Sequence, residues 1–459
     1  MSTNASLPTD PHLPNLAEVV DPRRAAEVFG ELLHKQGLVV EGCIVDRVKY
    51  RPRRNCTLSY RLRLRDMHDG RAFEQRVAAR LCGDDAIQRA RRAAAEPVAP
   101  LVASRAGPAL QSIPRLGLLT WWWPNDPKLV ATHVLSDVEL LHGEVLPQVV
   151  SALSGGRGRL VGHSIEIAQY VPEQRLTARV DLQWQCGAQA PESMRLYAKS
   201  TREPDGETCH AILRELQHSA ACRDGRLRTP KAVLWQPGAG LHWQEGLAGV
   251  SLRDVPPQRT FISARQLGAQ VAALHATPVS LARELTPSML HQRLADVLAV
   301  LTDALPGSQT GLQHLAARLA AGLQALPFDR PATLHGDLHP LNILVDGCGP
   351  ALIDLDNVVR GPAELELGAW VAEGLYRALL DDADPLRDQS AWQALLDGYA
   401  DAGGSRFELP GLGWAIAWNL LTQRVWRCVV NLKPGRFERV GALIALASDL
   451  AFQRQAEVV

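Results

Sequence analysis

Apolar and polar positions change rhythm along this chain. From Arg24 to Gln36 the apolar residues fall at helical spacing. From Val39 to Val48 and from Cys56 to Leu64 they alternate as in half-buried strands, the second with arginines on its polar side. Ala78 to Ala95 is rich in Ala and Arg and reads as a helix. Leu116 to Trp123 is an apolar, strand-like run closed by Pro124-Asn125-Asp126-Pro127, a turn signal. Gly155-Gly156-Arg157-Gly158 reads as a linker. Beyond Thr260 the period becomes helical over Ala264 to Leu274, Pro287 to Leu305, Leu312 to Leu326, Asp388 to Ala402 and Trp414 to Val429. A hairpin-like stretch from Ile343 to Asp356 interrupts it.

The strand-rich part repeats itself. Ile165-Glu166-Ile167-Ala168-Gln169-Tyr170-Val171-Pro172 echoes Val45-Asp46-Arg47-Val48-Lys49-Tyr50-Arg51-Pro52, a shift of 120. Leu196-Tyr197-Ala198-Lys199 echoes Val77-Ala78-Ala79-Arg80, and Gly240-Leu241-His242-Trp243 echoes Leu118-Leu119-Thr120-Trp121. Three echoes in order at a near-constant shift are the mark of a duplicated β-rich unit; chance resemblance among apolar strands is the alternative.

Composition narrows the class. With 459 residues the chain exceeds a single compact core. Lys+Arg 49 balances Asp+Glu 49, without the basic surplus of a nucleic-acid binder. The 8 cysteines are scattered with no C-x-x-C pair, which argues against a zinc site and for a reducing, cytoplasmic setting. No basic leader and no run of roughly 18 apolar residues is present, so no membrane partner is expected.

The chemistry concentrates in Leu334-His335-Gly336-Asp337-Leu338-His339-Pro340-Leu341-Asn342-Ile343-Leu344-Val345, followed by Ile353-Asp354-Leu355-Asp356. Phosphoryl transfer needs a carboxylate to orient a hydroxyl and oxygen ligands for a divalent ion that bridges phosphate oxygens. His335, Asp337, Leu338 and Asn342 keep the spacing of the kinase catalytic loop H-R-D-L-x-x-x-N, with Gly336 in place of its arginine. Asp354 stands where the D-F-G aspartate would. A capping Asp and a turn Asn in an ordinary loop would be the plain structural reading. His335 and His339 have the spacing of a helical metal pair, but Gly336 and Pro340 oppose a helix there.

This stretch resembles the characteristic motif of the aminoglycoside phosphotransferase-like family, of the protein-kinase-like superfamily, which includes choline, fructosamine and homoserine-type kinases. The resemblance is sharp over 330–370, looser over 160–330, and says little about 1–150. It implies Asp337 as catalytic base, Asn342 and Asp354 as magnesium ligands, and ATP as phosphoryl donor. It further implies Lys199, at the end of a strand, on the nucleotide phosphates, paired with Glu215 or else Glu207. Backbone groups around Glu245 and Leu247 would meet the adenine edge. One departure stands out: the turn Val171-Pro172-Glu173-Gln174-Arg175 has no glycine where kinases carry a glycine-rich loop. Arg175 or Arg179 could meet phosphate instead.

The fold expected is α+β and bilobal, protein-kinase-like, with an additional N-terminal β-rich unit. Residues 1–25 form a flexible arm, 26–153 a degenerate copy of the N-lobe with Arg80 in place of Lys199, 159–250 the nucleotide-binding N-lobe, and 251–459 a helical C-lobe. No A-P-E motif follows Asp354, which favours a small-molecule hydroxyl acceptor (amino sugar, sugar or amino alcohol) over a protein. Asp356, Glu364, Glu366, Glu373, Asp381, Asp382 and Asp384 would form an acidic rim for a cationic acceptor, or a solvated acidic face. Trp370, Trp414, Trp418 and Trp426 have core spacing. The alternative function is a pseudokinase-like nucleotide-binding or scaffold protein.

Overall fold

The computed structural model describes residues 8–202, 205–384, 390–407, 409–432 and 435–452. The described residues cluster into two compact units. The first lies within Met1–Gly206, Leu234–Trp243 and Val430–Lys433, the second within Glu207–Val233, Gln244–Val429 and Pro434–Val459.

The first unit holds two five-stranded sheets of one design. β1 (Leu38–Arg51), β2 (Asn55–Asp66), β3 (Ala72–Leu81), β4 (Leu110–Ile113) and β5 (Leu118–Trp122) run in the order β1-β2-β3-β5-β4. β6 (Gly158–Val171), β7 (Arg175–Cys186), β8 (Glu192–Thr201), β9 (Ala232–Gln236) and β10 (Leu241–Glu245) run in the order β6-β7-β8-β10-β9. The likeness extends to irregularities. β1 slips register between Val40 and Gly42, β6 between Leu160 and Gly162. Arg53 and Glu173 both take positive φ in the following turn. Thr57 faces Arg80 across β2 and β3 as Thr177 faces Lys199 across β7 and β8, so Arg80 stands in the lysine's place.

Each copy is closed by a buried tyrosine–aspartate bracket. In the second, Asp126 accepts from Tyr170 Oη at 2.7 Å and from the amides of Glu173, Lys128 and Leu129. In the first, Asp10 accepts from Tyr50 Oη at 2.9 Å and from the amides of Arg53 and His12. A buried carboxylate needs such donors to offset its lost hydration. Asp10 belongs to the stretch read as a flexible arm. Residues 1–7 lie outside the described residues, but Leu13, Leu16 and Val19 are each 2% exposed and pack with Phe29, Leu58 and Trp122 in the first sheet's core. Their apolar burial ties the stretch down.

One further reading is corrected. Ala78–Leu81 finishes β3 between β2 and β5, and the helix begins only at Ala86. The small side chains of Ala78 and Ala79 are buried there, and tertiary pairing overrides alanine's helical preference. The glycines after Ser154 form a tight exit from the helix Leu146–Ser154, with Gly155 left-handed at φ 61°, leading straight into β6.

The second unit is helical around one core. Its helices span Gly206–Gln217, Pro257–His275, Pro287–Ala304, Gln309–Gly322, Ala363–Leu380, Ser390–Asp401 and Leu409–Asn419, with Trp426–Asn431 and Val440–Phe452 after them. Asp388 of the expected helix 388–402 lies outside the described residues. β11 (Val250–Ser251), β12 (Arg283–Glu284), β13 (Ala332–Leu334), β14 (Ile343–Asp346), β15 (Gly349–Leu352) and β16 (Val359–Gly361) form two small sheets, β11-β14-β15 and β12-β16-β13. Among the described residues no helix is long and apolar enough to cross a membrane.

Candidate active site

β13 delivers the loop that begins at His335. This imidazole is fully buried, and its Nε2 lies 2.8 Å from the carbonyl of Ile353. A carbonyl only accepts, so Nε2 carries the hydrogen and Nδ1 has the lone pair that accepts the Asp337 amide at 3.4 Å. Histidine thus ties the loop to the chain just ahead of Asp354, as a brace.

The backbone is held from the other side by Glu366, on the helix Ala363–Leu380. Its carboxylate accepts from the amides of His335 at 3.0 Å and Gly336 at 2.8 Å, and sits 3.0 Å from His275 Nε2. His275 Nδ1 in turn meets Tyr399 Oη at 3.0 Å. Burial pushes the Glu366 pKa up, but the hydrogen bonds from His275 and the His335 amide outweigh it and hold the carboxyl below its ordinary value. Gly336 has φ 80°, and a Cβ there would fall 2.1 Å from the carbonyl oxygen of Asn357. The arginine of the protein-kinase loop cannot stand at this position; only glycine fits.

Asp337, Asn342 and Asp354 come together at one end of the β14–β15 hairpin. Asn342 Nδ2 donates to the Asp337 carbonyl at 2.9 Å. The Asn342 carbonyl accepts from Ile353 N at 2.9 Å, extending the hairpin ladder by one pair to the residue just before Asp354. Asp354 is left-handed, φ 62° and ψ 50°, a strained conformation of the sort that clusters at functional sites. Asp337 Oδ1 lies 3.1 Å from Arg427 Nη2 and Oδ2 lies 3.7 Å from His339 Nε2. Burial raises its pKa, but His339 and Arg427 together hold it well below the usual carboxylate range.

The donor set suits magnesium. Asn342 and Asp354 offer hard oxygens, and the Asn342 amide nitrogen is already committed, which leaves its oxygen as the ligand atom. Among the described residues no group of three or more His, Cys, Asp or Glu could hold a metal unaided. An ion here would be completed by phosphate and water oxygens.

The remaining expected residues are distributed as follows. Lys199 is 5% exposed near the end of β8, in the first unit. Both oxygens of Glu215, on the helix Gly206–Gln217, are taken by the Ser280–Leu281 turn, with Ser280 N and Oγ each at 2.7 Å and Leu281 N at 3.3 Å. That duty within its own unit does not match the expected lysine partner. Glu207 is exposed. The Glu245 amide donates to Lys231 O at 2.8 Å and is therefore not offered to a base. Glu245 and Leu247 line a cavity of about 500 Å³ together with Gln217, Cys222, Arg228 and Lys231. The acidic rim dissolves: Asp356, Glu366 and Glu373 are buried, and Glu373 is paired with Arg424 at 2.9 Å and Arg377 at 2.6 Å. Trp370, Trp414 and Trp418 are core, as their spacing suggested.

The glycine-free turn is fixed from the first copy. Glu173 is ion-paired with Arg80 and lies 3.2 Å from Lys128, and Lys49 Nζ donates to Gln174 at 2.7 Å. Arg179 is engaged by Glu166.

An α+β fold of protein-kinase type carrying this loop defines a small-molecule phosphotransferase. The model of the phosphotransferase enzyme family matches residues 183–408. Solved structures resemble the chain at low identity. A choline/ethanolamine kinase family protein from Mesorhizobium loti is 18% identical, with TM-score 0.45, over 68% of this chain and 99% of that one. A choline kinase from Streptococcus pneumoniae is 11% identical, with TM-score 0.43, over 67% and 99%. A thermostable aminoglycoside phosphotransferase in complex with ADP and hygromycin B is 13% identical, with TM-score 0.43, over 68% and 99%. No curated protein matches the sequence.

Proposed function

We propose that this protein moves the γ-phosphoryl group of ATP to a hydroxyl of a small molecule. The observation that carries this reading is the meeting of Asp337, Asn342 and Asp354 at one end of the β14–β15 hairpin, on a loop braced by His335 and Glu366. Asp337 orients the acceptor hydroxyl. As the acceptor oxygen bonds to the γ-phosphorus, the bond to the bridging oxygen breaks, ADP leaves with that electron pair, and the hydroxyl proton passes to Asp337. Its low pKa makes it a positioning group first and a late proton acceptor second. Asn342 and Asp354 would hold Mg²⁺, which supplies charge neutralisation at the phosphate oxygens. Lys199, by resemblance, takes the nucleotide phosphates.

Incubation with Mg-ATP and a panel of sugars, amino sugars and amino alcohols tests the reading through acceptor-dependent ADP release. Release that survives Asp337→Ala contradicts it. A pseudokinase-like nucleotide-binding protein is the second reading, favoured by the glycine-free turn tied down by Arg80 and Lys128. Stabilisation by Mg-ATP with no ADP release from any acceptor, neutral, cationic or anionic, would select it.

A further inference from the structure

Asp337 lies in a field of guanidinium groups. Arg427, on the helix Trp426–Asn431, reaches its Oδ1 at 3.1 Å and is 39% exposed. Arg424 precedes it in a π-helical stretch, Leu420–Val425, a feature frequent at functional sites. Arg424 is 6% exposed, pairs with Glu373, and keeps its Nε without a hydrogen-bond partner among the described residues. Arg293 lies over the Trp426 ring at 4.6 Å and donates to the Thr422 carbonyl. Burial and then the charge of Arg427 lower the Arg293 pKa, so these two cations share one space. Arg377 also faces Glu373. Arg377 and Arg424 therefore face Glu373, Arg427 faces Asp337, and Arg293 lies near Arg427 with Asp296 beside it.

A cationic acceptor would have to enter against like charge. An anionic one would do the reverse. Arg427 holds Oδ1 of Asp337, and His339 Nε2 lies 3.7 Å from Oδ2. A carboxylate or phosphate on the acceptor offers Arg427 a bidentate partner and draws it off the base. We propose that the acceptor is an anion, a hydroxycarboxylate or a phosphate monoester with a free hydroxyl, and that Arg427 is its specificity-determining contact. This inference rests on the phosphotransferase reading above.

The test compares gluconate, glucose 6-phosphate, glucose and glucosamine as acceptors for the full chain with Mg-ATP, following ADP release. One or both anions should exceed glucosamine at least tenfold in kcat/KM, and the comparison between them separates carboxylate from phosphate. Arg427→Gln should raise the anion's KM at least tenfold while the KM for ATP moves less than twofold; Arg427→Lys, which keeps charge but not the fork, should fall between. Glucosamine or glucose turned over as well as the anions overturns the proposal alone, as does an anion KM unmoved in Arg427→Gln. No ADP from any acceptor together with no thermal stabilisation by Mg-ATP overturns the phosphotransferase reading, and this proposal with it.

Discussion

Replacing Glu366 with alanine attacks the catalytic loop without touching a residue assigned to chemistry. The substitution leaves the His335 amide and His275 Nε2 without their partner in a buried setting, and the Gly336 amide without its acceptor at a more exposed position. Each orphaned buried group costs about 1–3 kcal/mol. The three share one carboxylate, so their costs do not add in full, and breaking a buried pair costs about 3–5 kcal/mol. At about 2–4 °C per kcal/mol for a unit of this size, the melting temperature should fall by roughly 6–20 °C. Glu366→Gln keeps one accepting oxygen and should lose less. The carboxyl is held below its ordinary pKa in the fold, so its contribution is full above the glutamate range and is lost as pH falls through it. Native protein should therefore lose stability on acidification more steeply than Glu366→Gln. Thermal unfolding across pH, paired with acceptor-dependent ADP release, checks both. A Glu366→Ala protein melting within about 2 °C of native, with turnover intact, would refute the bracing argument.

Further outcomes follow from neighbouring contacts. Gly336→Ala places a methyl against the Asn357 carbonyl at a positive φ, and should cost at least about 1–3 kcal/mol and lower kcat, read by denaturant unfolding and ADP release. Tyr170→Phe removes one donor from buried Asp126 and should cost about 1–3 kcal/mol in the same assay. Arg80→Met strips the guanidinium from buried Glu173 and should destabilise by about 3–5 kcal/mol, whereas an unchanged unfolding midpoint would mean the first copy does not anchor the turn.

Asp337, Asn342 and Asp354 were legible because a hairpin and one tight loop bring them together within a short stretch of sequence. The duplication was legible because strand edges and the Tyr-x-Pro turn keep their spacing. What escaped depends on distant partners. Tyr50 gave no sign that Asp10 closes on it, and the first sheet's core reaches back to Leu13 through tertiary packing alone. Glu366 read as one of several acids after the metal site because its partners, His335 and His275, come from other elements. Arg427 lies 90 residues beyond Asp337 and carries no local signal. The alanines of β3 pointed to a helix because propensity is local and sheet pairing is not.

The most direct measurement is ADP formation by native protein and by Asp337→Ala under saturating Mg-ATP and the best acceptor found. A fall of at least about 10²-fold, with Mg-ATP stabilisation retained, is the expected result; equal rates in the two proteins would contradict the account.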